Sequence, residues 1–359
     1  MNVHELPLIS FTILAQMCVG AFVILGLIQV IGPRLYHLSD AERRGAAPAA
    51  TDDAATTSSA ATSSATSSEP TNPIARLLKR FGLDYVPATN VLDKLTDPAL
   101  FAIGPILVLG LLGSMLHLGN PFNALNTFRH LGSSWLSREI LFGVGFAAAG
   151  FVFSFLQWKK IGSPRLRQGL GVITALIGLG LVYVMSMVYA SLPTVPFWHL
   201  WTTPATFFVT TFILGALAVG AGLLTVTMWR RRRLGGRDDV IDDRTQVMLQ
   251  RTVEILAVAI VALAIAQIVL LILQLTTMGA DPAMPEASRA AFYNNWFLAR
   301  ILLLIIGACL LGFLMYRFAA AHRSLPTLAT VATCAFVVVL ASEVLGRSLF
   351  YDAMTRIGM

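Results

Sequence analysis

The 359-residue chain is 56% apolar and 13% charged, about half the charged share of an ordinary soluble domain, and its charges fall between long apolar runs, which excludes the soluble globular class. A net charge of +7 does not point to nucleic acid, because the basic residues flank apolar spans and lack stacking aromatics or a groove-reading context. Cys18, Cys309 and Cys334 all lie in apolar segments without C-x-x-C spacing, so they read as packing residues and not as zinc or iron–sulfur ligands.

Eight stretches reach the roughly 20 residues a helix needs to cross the hydrocarbon layer, where every backbone polar group has to be satisfied internally. The first, 7–32, has no Lys or Arg before Arg34 and is too long for a signal-peptide core, so it reads as a retained transmembrane helix. The connection 33–97 holds a low-complexity tract at 46–72, almost all Ala, Thr, Ser, Asp and Pro, which is expected to be disordered. A short amphipathic stretch, Ile74–Tyr85, is expected on the membrane surface. Seven further spans follow within 98–359, at 98–118, 139–158, 168–190, 203–229, 252–277, 296–316 and 327–348. The expected architecture is an all-α integral membrane protein, a bundle of eight transmembrane helices. No repeat suggests the inverted halves of a transporter.

Eight spans put both termini on one side. The connections after spans 1, 3, 5 and 7 carry 20 of the 26 Lys and Arg, including the run Arg230–Arg233, while the opposite side has only Arg129, Arg138, Arg289 and Arg356. The positive-inside rule then places the basic connections in the cytoplasm and both termini outside, in a bacterial inner membrane.

Ionisable groups inside hydrocarbon are costly and mark pairing or function. His117 lies at the outer end of span 2, Glu139 at the outer start of span 3, Arg300 a few residues into span 7, and Glu343 and Arg347 near the outer end of span 8. Glu254, at the cytoplasmic start of span 6, is the exception. Each has a bland alternative. Glu343 and Arg347, four apart on one helical face, read as a structural ion pair. Trp198 and Trp201, beside Tyr189 and His199, suit an interfacial aromatic belt. Glu139 can favour a helix N-terminus, with Arg138 helping to place it. Taken together, five of the six fall in the outer half.

That set suits oxidation of a quinol, which must lose two protons while two electrons leave. A histidine can take a hydroxyl proton, a carboxylate can relay one, and an apolar cleft between helices can hold the tail. Haem is not the expected acceptor. Of the six histidines, His4, His37, His117, His130, His199 and His322, His117 alone lies clearly within a span, so a two-haem anchor is excluded by counting and a single haem lacks its facing ligand. Electrons would leave through a partner protein.

Stretches spread along the chain resemble a known family. They are His4-Glu-Leu-Pro-Leu-Ile-Ser-Phe-Thr12, Ser114-Met-Leu-His-Leu-Gly-Asn-Pro121, Ala124-Leu-Asn126 with Ser137-Arg-Glu-Ile140, Tyr189 with Thr194-Val-Pro196, Trp201-Thr-Thr-Pro204, and Ser342-Glu-Val-Leu-Gly-Arg347 with Phe350-Tyr351. In order and spacing they resemble the membrane anchor subunit of dimethyl sulfoxide reductase-type molybdoenzymes, the DmsC family. The resemblance implies a haem-free anchor that oxidises menaquinol. It would pass electrons to a subunit with four [4Fe–4S] clusters and on to a molybdenum catalytic subunit, with no metal of its own. The family's quinol-associated His and Glu fall on His117 and Glu139, and Ser114, Tyr189, Arg300, Glu343 and Arg347 are expected to support them. Two departures are the long Ser/Thr/Ala-rich first connection and the arginine-rich connection between spans 5 and 6. The competing expectations are a purely structural tether for the soluble subunits, or a transporter.

Overall fold

The computed structural model describes residues 6–46, parts of 96–110, 130–233 and 243–357, with the backbone alone for 30–46. The described residues form helices and turns. In chain order they are α1 (Leu6–Ala46), α2 (Trp135–Lys159), α3 (Pro164–Ala190), α4 (Thr202–Arg233), α5 (Asp243–Ala280), the short α6 (Glu286–Ala290), α7 (Asn295–Leu304), α8 (Leu311–Ala320) and α9 (Leu325–Asp352). A π-helical turn, Ile305–Leu310, joins α7 to α8 in one rod. Short helical pieces lie between 96 and 110. Seven described helices are long and apolar enough to cross a membrane: Leu6–Gln29, Trp135–Lys159, Arg165–Ala190, Thr202–Arg233, Met248–Ala280, Asn295–Ala320 and Leu325–Asp352. They correspond to seven of the eight expected spans. The eighth, 98–118, lies largely outside the described residues, as do the tract 46–72 and the stretch Ile74–Tyr85.

Local sequence fixes several helix starts. The Ser134 side chain accepts from the Ser137 N–H at the start of α2, and the Ser163 side chain accepts from Leu166 ahead of Pro164, which needs no N–H of its own at that position. Asn294 caps α7 by accepting from the Phe297 N–H at 2.9 Å. The Arg230–Arg233 run is not a loop. It forms the last turn of α4, where cations suit the negative end of the helix dipole.

The helices pack around a central pair. In α1 and in α4, 72% of the most apolar stretch is buried against the rest of the protein, against 22% in α2, so α1 and α4 form the axis and α2 the lipid-facing rim. The axis is tight because two glycines meet. A Cβ on Gly20 would collide with the Thr211 carbonyl oxygen, and one on Gly215 with the Gly20 backbone. Around this contact α3, α5 and α9 pack on the pair, α2 packs on α3, and the α7–α8 rod packs on α5 and α9. Edge-on rings join α1 to α2, with Phe22 at 5.9 Å from Phe146 and 5.3 Å from Phe153.

Polar contacts define two ends. At the terminal end, where α1 starts and α9 finishes, Ile357 N–H donates to Thr194 O at 2.9 Å and Ser288 Oγ donates to Ala353 O at 2.8 Å. These tie the α3–α4 connection, the α5–α7 connection and the C-terminal segment together. At the basic end Lys160 and Gln157 both reach Asp97, at 3.0 and 2.9 Å, and His322 bonds Gln250 at 2.7 Å. Glu254 is also at this end, paired with Arg251 at 3.1 Å.

The Gly20–Gly215 contact gives a direct prediction. Gly215→Leu should push α1 and α4 apart and cost about 1–3 kcal/mol, read as a lower unfolding temperature in detergent. Gly222→Ala, on the same helix but with nothing within 4 Å of the added Cβ, should leave stability unchanged or raise it.

Candidate functional site

The site is built where α1, α4 and α9 meet near the terminal end. Residues 343, 346, 347 and 350 share one face of α9, following the helical period. On that face Arg347 is buried and donates from Nη2 to Gln16 Oε1 of α1 at 3.0 Å. Its guanidinium stacks 3.9 Å from the centre of the Phe207 ring on α4. Gln16 turns its other amide atom to α4, with Nε2 donating to Phe207 O at 3.3 Å. One amide therefore links two helices and supplies the acceptor for a buried cation.

Beside Arg347 lies a pair of hydroxyls. Tyr189, near the end of α3, and Tyr351, at the end of α9, share a hydrogen bond of 2.9 Å, and both are buried. Thr12 of α1 lies against the Tyr351 hydroxyl. Glu139, in the second turn of α2, is buried and acts electrostatically on both tyrosines. Among the described residues its carboxyl has no hydrogen-bond partner. Arg138 does not pair with it. The Arg138 guanidinium donates to Leu131 O and Gly132 O, both at 2.8 Å, and covers the Trp135 ring, so it locks the turn ahead of α2.

The expected ion pair between Glu343 and Arg347 does not form. Glu343 instead turns to α4, where Thr210 Oγ1 donates to its Oε2 at 2.9 Å. Its Oε1 is buried without a partner. The guanidinium of Arg300 on α7 lies against Gly346 of α9, where a Cβ would collide with it. The missing side chain makes the cradle. Ser342 Oγ fastens the backbone here by donating to Arg300 O at 2.9 Å. Arg300 Nε is also buried without a partner. These groups line a small chamber of about 30 Å³, which Gln267 and Gln274 of α5 close from the other side.

The structure thus joins Tyr189, Arg300, Glu343 and Arg347 in one buried cluster with Glu139 at its edge, while His117 and Ser114 lie outside the described residues. Trp198 departs from the expected belt. It is buried, donates from Nε1 to Phe350 O at 2.8 Å and stacks on the Phe350 ring. Trp201, 62% exposed, fits the belt. His199 donates from Nδ1 to Ala190 O at 2.6 Å and tightens the α3–α4 connection. Gln16, Thr210, Gln267 and Tyr351 belong to the cluster although sequence reasoning does not single them out as site residues. The one signal they offer there is a neutral polar side chain within an apolar run. Among the described residues no group of three or more His, Cys, Asp and Glu is placed to hold a metal ion.

Comparison with known proteins shows the family. The sequence is 30% identical to an anaerobic dimethyl sulfoxide reductase chain of Escherichia coli (strain K12) over 260 residues, 72% of this protein and 82% of that one. It is 34% identical to an anaerobic dimethyl sulfoxide reductase chain of Haemophilus influenzae over 136 residues, 38% of this protein and 48% of that one. A sulfite dehydrogenase subunit of Allochromatium vinosum is 30% identical over 125 residues, 32% of this protein and 37% of that one. The family described as DMSO reductase anchor subunit (DmsC) matches residues 97–353, and so spans every described helix after α1. This polytopic helical protein belongs to the DMSO reductase anchor subunit (DmsC) family, the membrane anchors of molybdoenzyme complexes.

Proposed function

We propose that the protein oxidises menaquinol at its terminal end and passes the electrons to an iron–sulfur subunit of a molybdenum-containing anaerobic reductase. The observation that carries this reading is Glu139: a buried carboxyl without a hydrogen-bond partner among the described residues, within electrostatic reach of a bonded pair of tyrosine hydroxyls. A carboxylate so placed can accept a hydroxyl proton in a setting closed to bulk water. Two helical turns further along α2, Phe146 begins an apolar cleft of about 540 Å³ that runs to Trp158 between α1, α2 and the 103–108 segment. Such a cleft suits an isoprenoid tail whose ring lies against Glu139.

On this reading a quinol loses two protons and two electrons to become a quinone. His117 and Glu139 take the protons from the two hydroxyls. Tyr189 and Tyr351 orient the ring oxygens, Arg347 fixes Tyr351's surroundings, and Ser114, Arg300 and Glu343 support the site. The electrons leave to an iron–sulfur cluster in the partner subunit, and the molybdenum subunit beyond it reduces the terminal acceptor. The distribution of Lys and Arg favours the terminal end as the periplasmic face of a bacterial inner membrane, with the span expected at 98–118 completing eight. The relative named for sulfite dehydrogenase supports a division of labour in which this anchor handles quinone while partner subunits set the other substrate.

Replacing His117 with Gln, or Glu139 with Gln, should lower quinol-dependent acceptor reduction by about a hundredfold or more, while reduction driven by an artificial dye feeding the partner subunits survives. Normal quinol turnover in both variants would leave the protein a structural tether. Tyr189→Phe and Tyr351→Phe should each slow quinol turnover about five- to thirtyfold, the rate equivalent of about 1–2 kcal/mol. The double variant should be little worse than either single one, because each change breaks the same bond.

A further inference from the structure

The chamber beside Arg300 is too small for a quinol ring and too polar to be a packing defect. Three buried side-chain atoms around it have no partner among the described residues: Glu343 Oε1, Gln267 Oε1 and Arg300 Nε. Left dry, each would carry the full desolvation penalty of an unpaired polar group, largest for the charged ones. Gln274, one face-repeat along α5 from Gln267, is 6% exposed and also makes no hydrogen bond to a described residue. The cavity volume of about 30 Å³ exceeds what a water needs, which is about 10–15 Å³ on the same measure.

The orphan set selects its occupant. Two of the atoms accept and one donates. Water can give two hydrogens, to Glu343 and Gln267, and accept one from Arg300. A metal cation would face the Arg300 and Arg347 guanidiniums, and an anion would face the Glu343 carboxylate. A neutral molecule that both donates and accepts satisfies all three atoms.

We propose that this chamber holds a resident water and forms the inner end of a proton-release path to the terminal end of the bundle. Counting 1.5 Å per residue, Gln267 lies roughly 20 Å below the end of α5, Glu343 roughly 13 Å below the end of α9 and Gln274 roughly 9 Å below the end of α5. The polar groups thus form a ladder rising toward the α3–α4 and α5–α7 connections. Phe197 and Phe292, one from each connection, close the top with ring centres 4.9 Å apart. The charged groups facing Glu343 are Arg300 from α7 and Arg347 from its own helix. From α4 and α5 it meets Thr210 and Gln267, neither of which titrates. The transfer is a concerted relay through the two waters that a volume of about 30 Å³ can hold: Glu343 gives a proton to the first water as that water gives one of its own to a second beside Gln274, which releases one to solvent at the terminal end, so no hydronium rests between the guanidiniums. Assigning the incoming proton to a quinol hydroxyl rests on the function proposed above. The water itself does not.

The test uses the complete complex in lipid nanodiscs. A cryo-electron microscopy map that resolves waters should show one within hydrogen-bond distance of Glu343 Oε1, Gln267 Oε1 and Arg300 Nε. A map of Gln267→Leu should show none there. Quinol-dependent turnover of Gln267→Leu and Gln274→Leu should fall by roughly tenfold, with a larger slowing in deuterated water than wild type shows, while dye-driven reduction is unchanged. A purely structural loss would lower turnover without changing the solvent isotope effect, and would overturn the path. A dry wild-type chamber overturns the water site even where quinol turnover is normal. A hydrated chamber in a complex that oxidises no quinol instead sinks the proposed function and leaves the site standing.

Discussion

Arg347 sets the terms for the terminal half of the bundle. A guanidinium among apolar helices has to find its acceptors inside the protein, because lipid supplies none. Here the acceptor is the amide of Gln16 and the other contact is the face of Phe207. Both depend on α1 lying hard against α4. That approach is available only because Gly20 and Gly215 carry no side chains at the crossing, one turn from Gln16 on α1 and two turns from Phe207 on α4. The same Gln16 amide bonds the Phe207 carbonyl, so the helix crossing and the cation site hold one another in place. Removing one member leaves a buried charge or a buried amide uncompensated, which is the costly case.

Holding Arg347 toward α1 has a consequence for Glu343. Their spacing on α9 permits a local pair, worth only a few tenths of a kcal/mol on an isolated helix. Tertiary partners displace it: Arg347 reaches Gln16, and Glu343 accepts from Thr210. The cluster is therefore split. On one side lies the bonded Tyr189–Tyr351 pair, within electrostatic reach of Glu139. On the other, Glu343 and Arg300 face the chamber. Arg347 lines the chamber as well, so two arginines and one acid leave that second side with an excess positive charge. An excess of that sign near the site would favour an oxygen that gains negative character as its proton leaves.

Much of this was legible in the sequence, because hydrocarbon imposes a length and a polarity that one sequence displays. Seven of the expected spans stand within a few residues of their helices, and the differences are mostly at polar ends. Arg230–Arg233 continue α4 for a further turn, since a helix can leave the membrane without ending. Arg300, Glu343, Arg347 and Tyr189 stand out because charge or a phenol is conspicuous in an apolar run. What could not be read was direction across helices. The period of α9 places Glu343 and Arg347 on one face but does not say which neighbour each meets. Neutral amides such as Gln16 and Gln267 look ordinary until their partners are known, and Trp198 looks like a belt residue until its N–H is seen on Phe350 O.

The interior below the chamber bears on where protons go. From Gln267 toward the basic end, the buried residues of α5 are Ala264, Ile260, Ala257, Leu256 and Val253 before the polar Thr252 and Gln250 are reached, and those of α9 below Glu343 include Val339, Ala335 and Ala332. The threonines of α4 in this region do not form a path either. Thr211 and Thr227 each give their hydroxyl to a carbonyl of their own helix, at 2.8 and 2.7 Å. Among the described residues the polar ladder runs toward the terminal end, where the Phe197 and Phe292 rings cap it, and meets mostly apolar packing toward the basic one. On the proton path proposed above, a proton entering at Glu343 leaves at the end where the proposed site also surrenders its electrons. Protons and electrons that leave by the same face move little net charge across the membrane. A complex built on this anchor would then sustain respiration by turning over quinol, with the membrane potential generated by whatever enzyme reduces the quinone again.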